Sequence, residues 1–185
     1  MKNIKIKNIL VTGNAGFIGF HLVRKILEKG KFNVVGVDSV NNYYDTSLKN
    51  ERLKILKKIN LKNKYKFYKI RLENKQILNA LFKKYKFDAV VNLAAQAGVR
   101  YSLKNPDSYM KSNVDGFFNL IELSKAYNIK HLVYASTSSV YGANKKIPFK
   151  EKDQTDRPLQ LYAATKKFNE LIAHSYSNLF NLPTT

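Results

Sequence analysis

The stretch NILVTGNAGFIG, from Asn8 to Gly19, decides the fold. Asn8 to Thr12 is a short apolar run of the kind a buried strand shows. It leads into Gly13, Gly16 and Gly19, and then into an amphipathic segment from Phe17 to Gly30. There Leu22, Val23, Ile26 and Leu27 recur at helical spacing, and Gly30 supplies the stop. Strand, glycine turn and helix in that order make a cradle for phosphates. Gly13 permits the tight turn, and Gly16 has no side chain to hold a pyrophosphate off the backbone. Gly19 lets the helix lie close to the strand, and the first helical amides aim free N–H groups at the anion. A glycine triplet alone is a weak signal, but here the strand precedes it and the helix follows it. The second strand, Val34 to Asp38, ends on a carboxylate about twenty residues beyond the turn. In that position Asp38 can hold both hydroxyls of a ribose and repel a 2′-phosphate, which favours NAD over NADP.

Outward from this unit, apolar runs and amphipathic stretches keep alternating. Ser47 is the expected cap of a helix to about Ile59, with Leu48, Leu53, Ile55, Leu56 and Ile59 mostly inward. A strand from Tyr65 to Ile70, a helix from Lys75 to Lys84 and a strand from Asp88 to Leu93 follow. Pro106 suits the first turn of one long helix running to about Tyr127. A strand from His131 to Ser136 and a helix from Leu159 to Phe180 come last. Strands that are apolar throughout belong in a parallel sheet covered on both faces. With right-handed crossovers the expectation is a doubly wound, Rossmann-like α/β domain over residues 1–185. Asn181 to Thr185 stands where another strand should begin, so the domain reads as incomplete, ahead of a substrate domain. Ligands of such sheets lie beyond the carboxyl ends of the strands.

Composition narrows the classes. The 185 residues are 44% hydrophobic, enough for one packed domain. Cysteine is absent, which excludes disulfides, thiolate metal sites and cysteine nucleophiles and suits a cytoplasmic protein. No apolar run is long enough to span a membrane. Met1 to Lys7 carries lysines without an apolar segment, so no signal peptide is expected. The net charge is +20, densest from Lys49 to Lys86, where only Glu51 and Glu73 oppose the lysines. These lysines alternate with apolar residues, as on a solvated surface, so no specific nucleic-acid binding is expected; a positive field also serves an anionic small substrate. His21, His131 and His174 have no partners at metal-ligand spacing, and no metal is expected.

The chemistry is carried near the end of the chain. Tyr162 and Lys166 are four residues apart, one turn on the same helix face. A tyrosine ordinarily titrates near 10, too high for a base at neutral pH, and a neighbouring ammonium favours its phenolate. After the fifth strand come Thr137, Ser138 and Ser139, hydroxyls at a strand's carboxyl end. A hydroxyl, a tyrosine and a lysine downstream of a nucleotide loop resemble the catalytic trio of the short-chain dehydrogenase/reductases, and the resemblance implies Thr137, Tyr162 and Lys166 as its members.

The spacing Gly-x-x-Gly-x-x-Gly resembles extended short-chain dehydrogenase/reductases. LAAQAGVR (Leu93 to Arg100), YASTSSVYGAN (Tyr134 to Asn144) and LYAATK (Leu161 to Lys166) resemble UDP-glucuronate 4-epimerases of bacterial surface-polysaccharide pathways. Asp38 followed by NNYYD (Asn41 to Asp45) fits the same family, from about Lys7 to Thr185. The resemblance implies bound NAD, a UDP-sugar substrate and inversion at C4 through a 4-keto sugar. It implies that Gly13, Asn14, Ala15, Gly16, Phe17, Ile18 and Gly19, with Asp38 and Asn41, hold the cofactor. Leu93, Ala94, Ala95 and Gln96 would follow its pyrophosphate and ribose, with Asn113, Tyr162 and Lys166 at its far end. Arg100, Thr137, Ser138 and Ser139 would meet the sugar, Arg100 as a fork for its carboxylate. Members often pair through the two long helices, so a homodimer is implied. Arg71 departs from the family, which usually carries an acid there, near the adenine amino group. The related dehydratases and decarboxylases place an acid in the segment after the fifth strand, which Ser138 and Ser139 lack. A UDP-glucose 4-epimerase is the nearer alternative, and a non-catalytic NAD-binding fragment is the alternative from another class.

Overall fold

The computed structural model describes residues 6–60 and 63–185. Residues 1–5, on which the reading of the N-terminus rests, and 61–62, inside the lysine-rich stretch, lie outside them. Five strands form one parallel sheet: β1 (Asn8–Thr12), β2 (Asn33–Asp38), β3 (Tyr65–Lys69), β4 (Ala89–Asn92) and β5 (His131–Tyr134). Their order is β3-β2-β1-β4-β5, so the chain reverses its direction of growth between β1 and β4. Helices α1 (Phe17–Lys29), α2 (Thr46–Lys58) and α3 (Lys75–Tyr85) make the first crossovers. Two short helices, α4 (Tyr101–Lys104) and α5 (Pro106–Tyr109), lead through a π-helical turn at Met110–Asp115 into α6 (Gly116–Ala126). The last helix is α7 (Leu161–Phe180). Beyond it, Leu132 N donates to Pro183 O at 2.9 Å and Thr185 N to Leu132 O at 3.0 Å, so strand pairing resumes beside β5.

Side chains of β1 alternate between two cores, as a strand's period of two requires. Leu10 joins Phe82, Val90, Phe117, Leu120 and Ile121 on the face covered by α3 and α6. Ile9 and Val11 join Phe20, Val23, Val34 and Leu56 beneath α1 and α2. Each such side chain, fully buried, contributes roughly 1.5–3 kcal/mol. Gly30 ends α1 in the left-handed region at φ 61°, its amide bonded to Ile26 O and Leu27 O.

Two elements differ from expectation. Asp45, rather than Ser47, caps α2: its carboxylate accepts Ser47 N at 2.7 Å and the Ser47 hydroxyl at 2.8 Å. The inward face is set by Lys49, Leu53 and Leu56, and Leu48 and Ile55 are exposed. The helix expected over Pro106–Tyr127 is interrupted by the π-helical turn, which holds one residue more per turn than its neighbours. The carbonyl of Asn113 within it accepts Asn169 Nδ2 from α7 at 2.7 Å.

Candidate nucleotide and catalytic site

Where β1 and β4 part, Thr12 ties them together: its hydroxyl donates to Asn92 Oδ1 at 2.5 Å and accepts Ala94 N at 3.2 Å. The glycine turn sits directly above. Gly13 has φ 70°, and its amide donates to Val37 O at 2.7 Å. A Cβ on Gly13 would lie 2.7 Å from Ala94 N, and one on Gly19 would lie 2.8 Å from Asn14 Cα, so the close approach requires glycine. Gly16 caps α1 without a side-chain bond, leaving the amides of the first turn to an outside acceptor. Phe17 and Ile18 are exposed, whereas Ala15 is buried. Asn14 faces inward, donating from Nδ2 to Tyr65 Oη at 2.5 Å, and so anchors the turn to β3.

Asp38 closes this side. Its Oδ2 accepts Ala15 N at 3.1 Å and its Oδ1 accepts Val40 N at 2.8 Å, which aims the carboxylate at the turn and leaves lone pairs for hydroxyl donors. Beside it Lys49 is buried, donating to Asn41 O at 2.9 Å and Asn41 Oδ1 at 2.8 Å. Burial lowers its pKa, and the nearby Asp38 charge opposes that shift. Lys49 was not legible: in a lysine-rich helix it reads as one more solvated cation. Val37, Asp38, Asn41, Leu72, Ala94 and Gln96 line a small cavity of about 40 Å³ that continues the groove towards β3.

Across the parting of the sheet, Leu93, Ala94 and Ala95 are half-buried and Gln96 is buried. Asn113 grips this segment from the π-helical turn. Its Oδ1 accepts Gln96 N at 2.7 Å, while its Nδ2 donates to Gln96 O at 3.0 Å and Thr165 Oγ1 at 3.1 Å. Thr165 lies between Tyr162 and Lys166, so the groove and α7 are locked to one another through Asn113. Tyr109, fully buried, donates to Ala97 O at 2.8 Å and to Gly98 O, and meets the Tyr162 ring edge-on at 6.1 Å. Neither Tyr109 nor Asn169 was singled out from sequence. Asn169 did carry a signal, a polar residue three after Lys166 on the inward face.

Thr137 caps the 3-10 turn Ser138–Tyr141, accepting Ser139 N at 3.2 Å and donating to Ser139 Oγ at 3.3 Å. Helix α7 packs against this turn, which brings Tyr162 and Lys166 to the end of β5. Lys166 is almost wholly buried, and burial lowers its pKa from 10.5 to about 8, opposed by the Glu170 charge. Glu170 is itself held by Ser136 Oγ at 2.5 Å and Lys167 Nζ at 3.0 Å. Ser138 and Arg100 are exposed, and Arg100 makes no ion pair among the described residues. The groove fits a dinucleotide: a glycine cradle that a Cβ would fill, a carboxylate with lone pairs left for hydroxyls, and a buried lysine with a half-buried tyrosine at the far end.

A doubly wound parallel sheet with this glycine turn and this carboxylate defines a short-chain dehydrogenase/reductase-type nucleotide-binding domain. The chain belongs to the family described as GDP-mannose 4,6 dehydratase, which it matches over residues 10–185. It is 55% identical over 177 residues to Protein CapI of Staphylococcus aureus, covering 96% of this chain and 52% of that one. It is 49% identical over 176 residues to a probable UDP-glucuronate 4-epimerase of Rhizobium meliloti, covering 95% and 50%. It superposes with a TM-score of 0.86 at 33% identity on the UDP-glucuronic acid 4-epimerase of Bacillus cereus, solved with UDP-glucuronic acid and NAD, covering 96% and 55%. The chain thus spans about half the length of the curated relatives it matches. Among the described residues no helix is long and apolar enough to cross a membrane.

Proposed function

We propose that the chain is the NAD-binding part of a sugar-nucleotide 4-epimerase. Its substrate pair is UDP-glucuronate and UDP-galacturonate, and its role is cytoplasmic supply of surface-polysaccharide precursors. The observation that carries this reading is the turn after β5. Thr137 caps it and only hydroxyls, Ser138 and Ser139, follow, so it holds alcohols in place and offers no acid for elimination of water. Relatives named as UDP-glucuronate 4-epimerases support the same substrate.

The chemistry that NAD would supply when bound here is reversible acceptance of hydride from the sugar's C4. The residues of the chain manage the proton and the geometry. Tyr162 takes the proton of the 4-hydroxyl, helped by the Lys166 charge one turn away. Thr137 hydrogen-bonds the same oxygen. Asp38 would hold the ribose of the dinucleotide, and the first amides of α1 its pyrophosphate. Arg100, exposed and without an ion pair among the described residues, forks onto the sugar carboxylate. Exposed apolar side chains on α6 and α7, among them Phe118 and Leu171, are the face through which two copies pair.

The test is incubation of the purified chain with NAD and either UDP-glucuronate or UDP-glucose, followed by proton NMR, with NAD and NADP calorimetry alongside. For this chain the expected result is tighter binding of NAD than of NADP; interconversion of the uronates without accumulating NADH is the result expected of the full-length enzyme. Turnover of UDP-glucose alone would favour the UDP-glucose epimerase. NAD binding without turnover of either would establish a binding fragment, and binding of neither dinucleotide would refute the reading.

A further inference from the structure

With its ribose at Asp38, a dinucleotide would carry its base into the groove beyond the carboxyl ends of β2 and β3. Val37, Ile70 and Leu72 supply apolar surface there for the flat of a ring, and Arg71 and Glu73 line the same groove. An adenine also presents an exocyclic amino group, which needs an acceptor. Arg71, the residue that follows Ile70, has none, because a guanidinium only donates.

The two charged side chains divide the space between them. Arg71 Nε donates to Glu73 Oε1 at 2.7 Å; the arginine side chain is 64% exposed and the glutamate side chain 24%. The arginine therefore lies on the solvent side and the carboxylate on the groove side. Glu73 is also fixed through its backbone, since Asn119 Nδ2 from α6 donates to Leu72 O and Glu73 O, both at 3.2 Å. Glu73 is thus tied at its backbone and at Oε1, and among the described residues no hydrogen bond engages its second oxygen. Of the groove's other polar side chains, Asp38 accepts Ala15 N and Val40 N, Asn41 Oδ1 accepts Lys49, Gln96 Nε2 donates to Ala97 O, and Ser39, Ser108 and Ser112 are hydroxyls. A hydroxyl donates or accepts, so it cannot tell an amino group from a carbonyl.

We propose that Glu73 reads the base, its free carboxylate oxygen accepting the exocyclic N–H of adenine, with Arg71 as the positioning residue that holds it. This rests on the reading of the groove as an NAD site. The acceptor thus sits two residues further along the chain than the arginine that displaces it.

The probe is the hypoxanthine analogue of NAD, in which a carbonyl replaces the amino group. Calorimetry with NAD and this analogue is done on the wild-type chain and on Glu73→Gln, Glu73→Leu and Arg71→Met, with a melting curve for each. The wild type should prefer NAD by about tenfold, the worth of one charge-assisted hydrogen bond at the low end. Glu73→Gln should bind both within a few-fold, because its amide can turn either O or N–H₂ to the base. Glu73→Leu should lose the preference by weakening NAD alone. Arg71→Met should keep the direction of the preference and shrink it. Equal binding of the two by the wild type, a preference for the analogue, or an unchanged preference in Glu73→Gln would overturn the assignment and leave the NAD reading standing. Binding of neither dinucleotide by the wild type would bring down both.

Discussion

Lys166→Met removes an ammonium that the fold buries almost completely and leaves a side chain of similar length in its place. The folded chain holds Lys166 at a pKa of about 8 against an ordinary 10.5. The folded state therefore binds this proton less tightly than the unfolded state does. Below pH 8 the group is charged in both states, and the whole desolvation cost opposes folding. As pH rises from about 8 towards 10.5 the folded state gives up the proton first, and stability recovers. At 1.36 kcal/mol per unit the cost is ~3 kcal/mol at pH 7 and ~1 kcal/mol at pH 9.5. Methionine carries no such cost, so the variant should be more stable at pH 7, and its advantage should shrink by ~2 kcal/mol at pH 9.5. Urea unfolding of both proteins at the two pH values measures this. The difference between pH values is the useful quantity, because packing changes and the tyrosines common to both proteins cancel in it. An advantage that stays the same at both pH values would refute the burial argument, and with it the reason for treating Lys166 as a tuned group.

Asp38→Asn should weaken NAD about tenfold and NADP less, so that the ratio of the two affinities falls; calorimetry with each dinucleotide decides it. Asn113→Ala deletes three buried side-chain hydrogen bonds, to Gln96 N, Gln96 O and Thr165 Oγ1. It should cost about 2–4 kcal/mol in urea unfolding and weaken NAD as well, and an unmoved midpoint would argue against the lock. Leu171, 58% exposed on α7, should be covered in a dimer. Leu171→Glu should then sediment as a monomer where the wild type sediments as a dimer, and a monomeric wild type would remove the expectation.

The legible parts of the molecule were those in which one residue type has one physical use. Gly13 at positive φ, Gly19 against Asn14 Cα and Asp38 at a strand end answer to local constraints, so the motif carried their placement with it. The illegible parts are those in which an ordinary polar residue is put to a use that only tertiary structure creates. Lys49 and Leu48 are neighbours on α2, and hydropathy would bury the leucine. The fold buries the lysine, because Asn41 offers it two oxygens where the leucine would face water. The break in the 106–127 helix is the same case on a larger scale. Within the widened turn the Asn113 carbonyl accepts Asn169 Nδ2 and the Asn113 side chain bonds Gln96, and each partner lies far away in sequence.

That break also connects the two halves of the candidate site. The glycine turn and Asp38 belong to the β1 side of the sheet, and Tyr162 and Lys166 belong to the end of β5. Within the π-helical turn the Asn113 carbonyl gives Asn169 Nδ2 its acceptor on the inner face of α7. With the wider turn, the Gln96 segment, the helix carrying Asn113 and the helix carrying Tyr162 share one set of buried hydrogen bonds. Such a set is stable only when every member is present, since each group left behind bears its own desolvation cost. Loss of Asn169 should therefore resemble loss of Asn113 in both stability and dinucleotide affinity. In the double variant the two effects should be far from additive, and a double-mutant cycle with no coupling would mean that the turn is held open by something other than this contact.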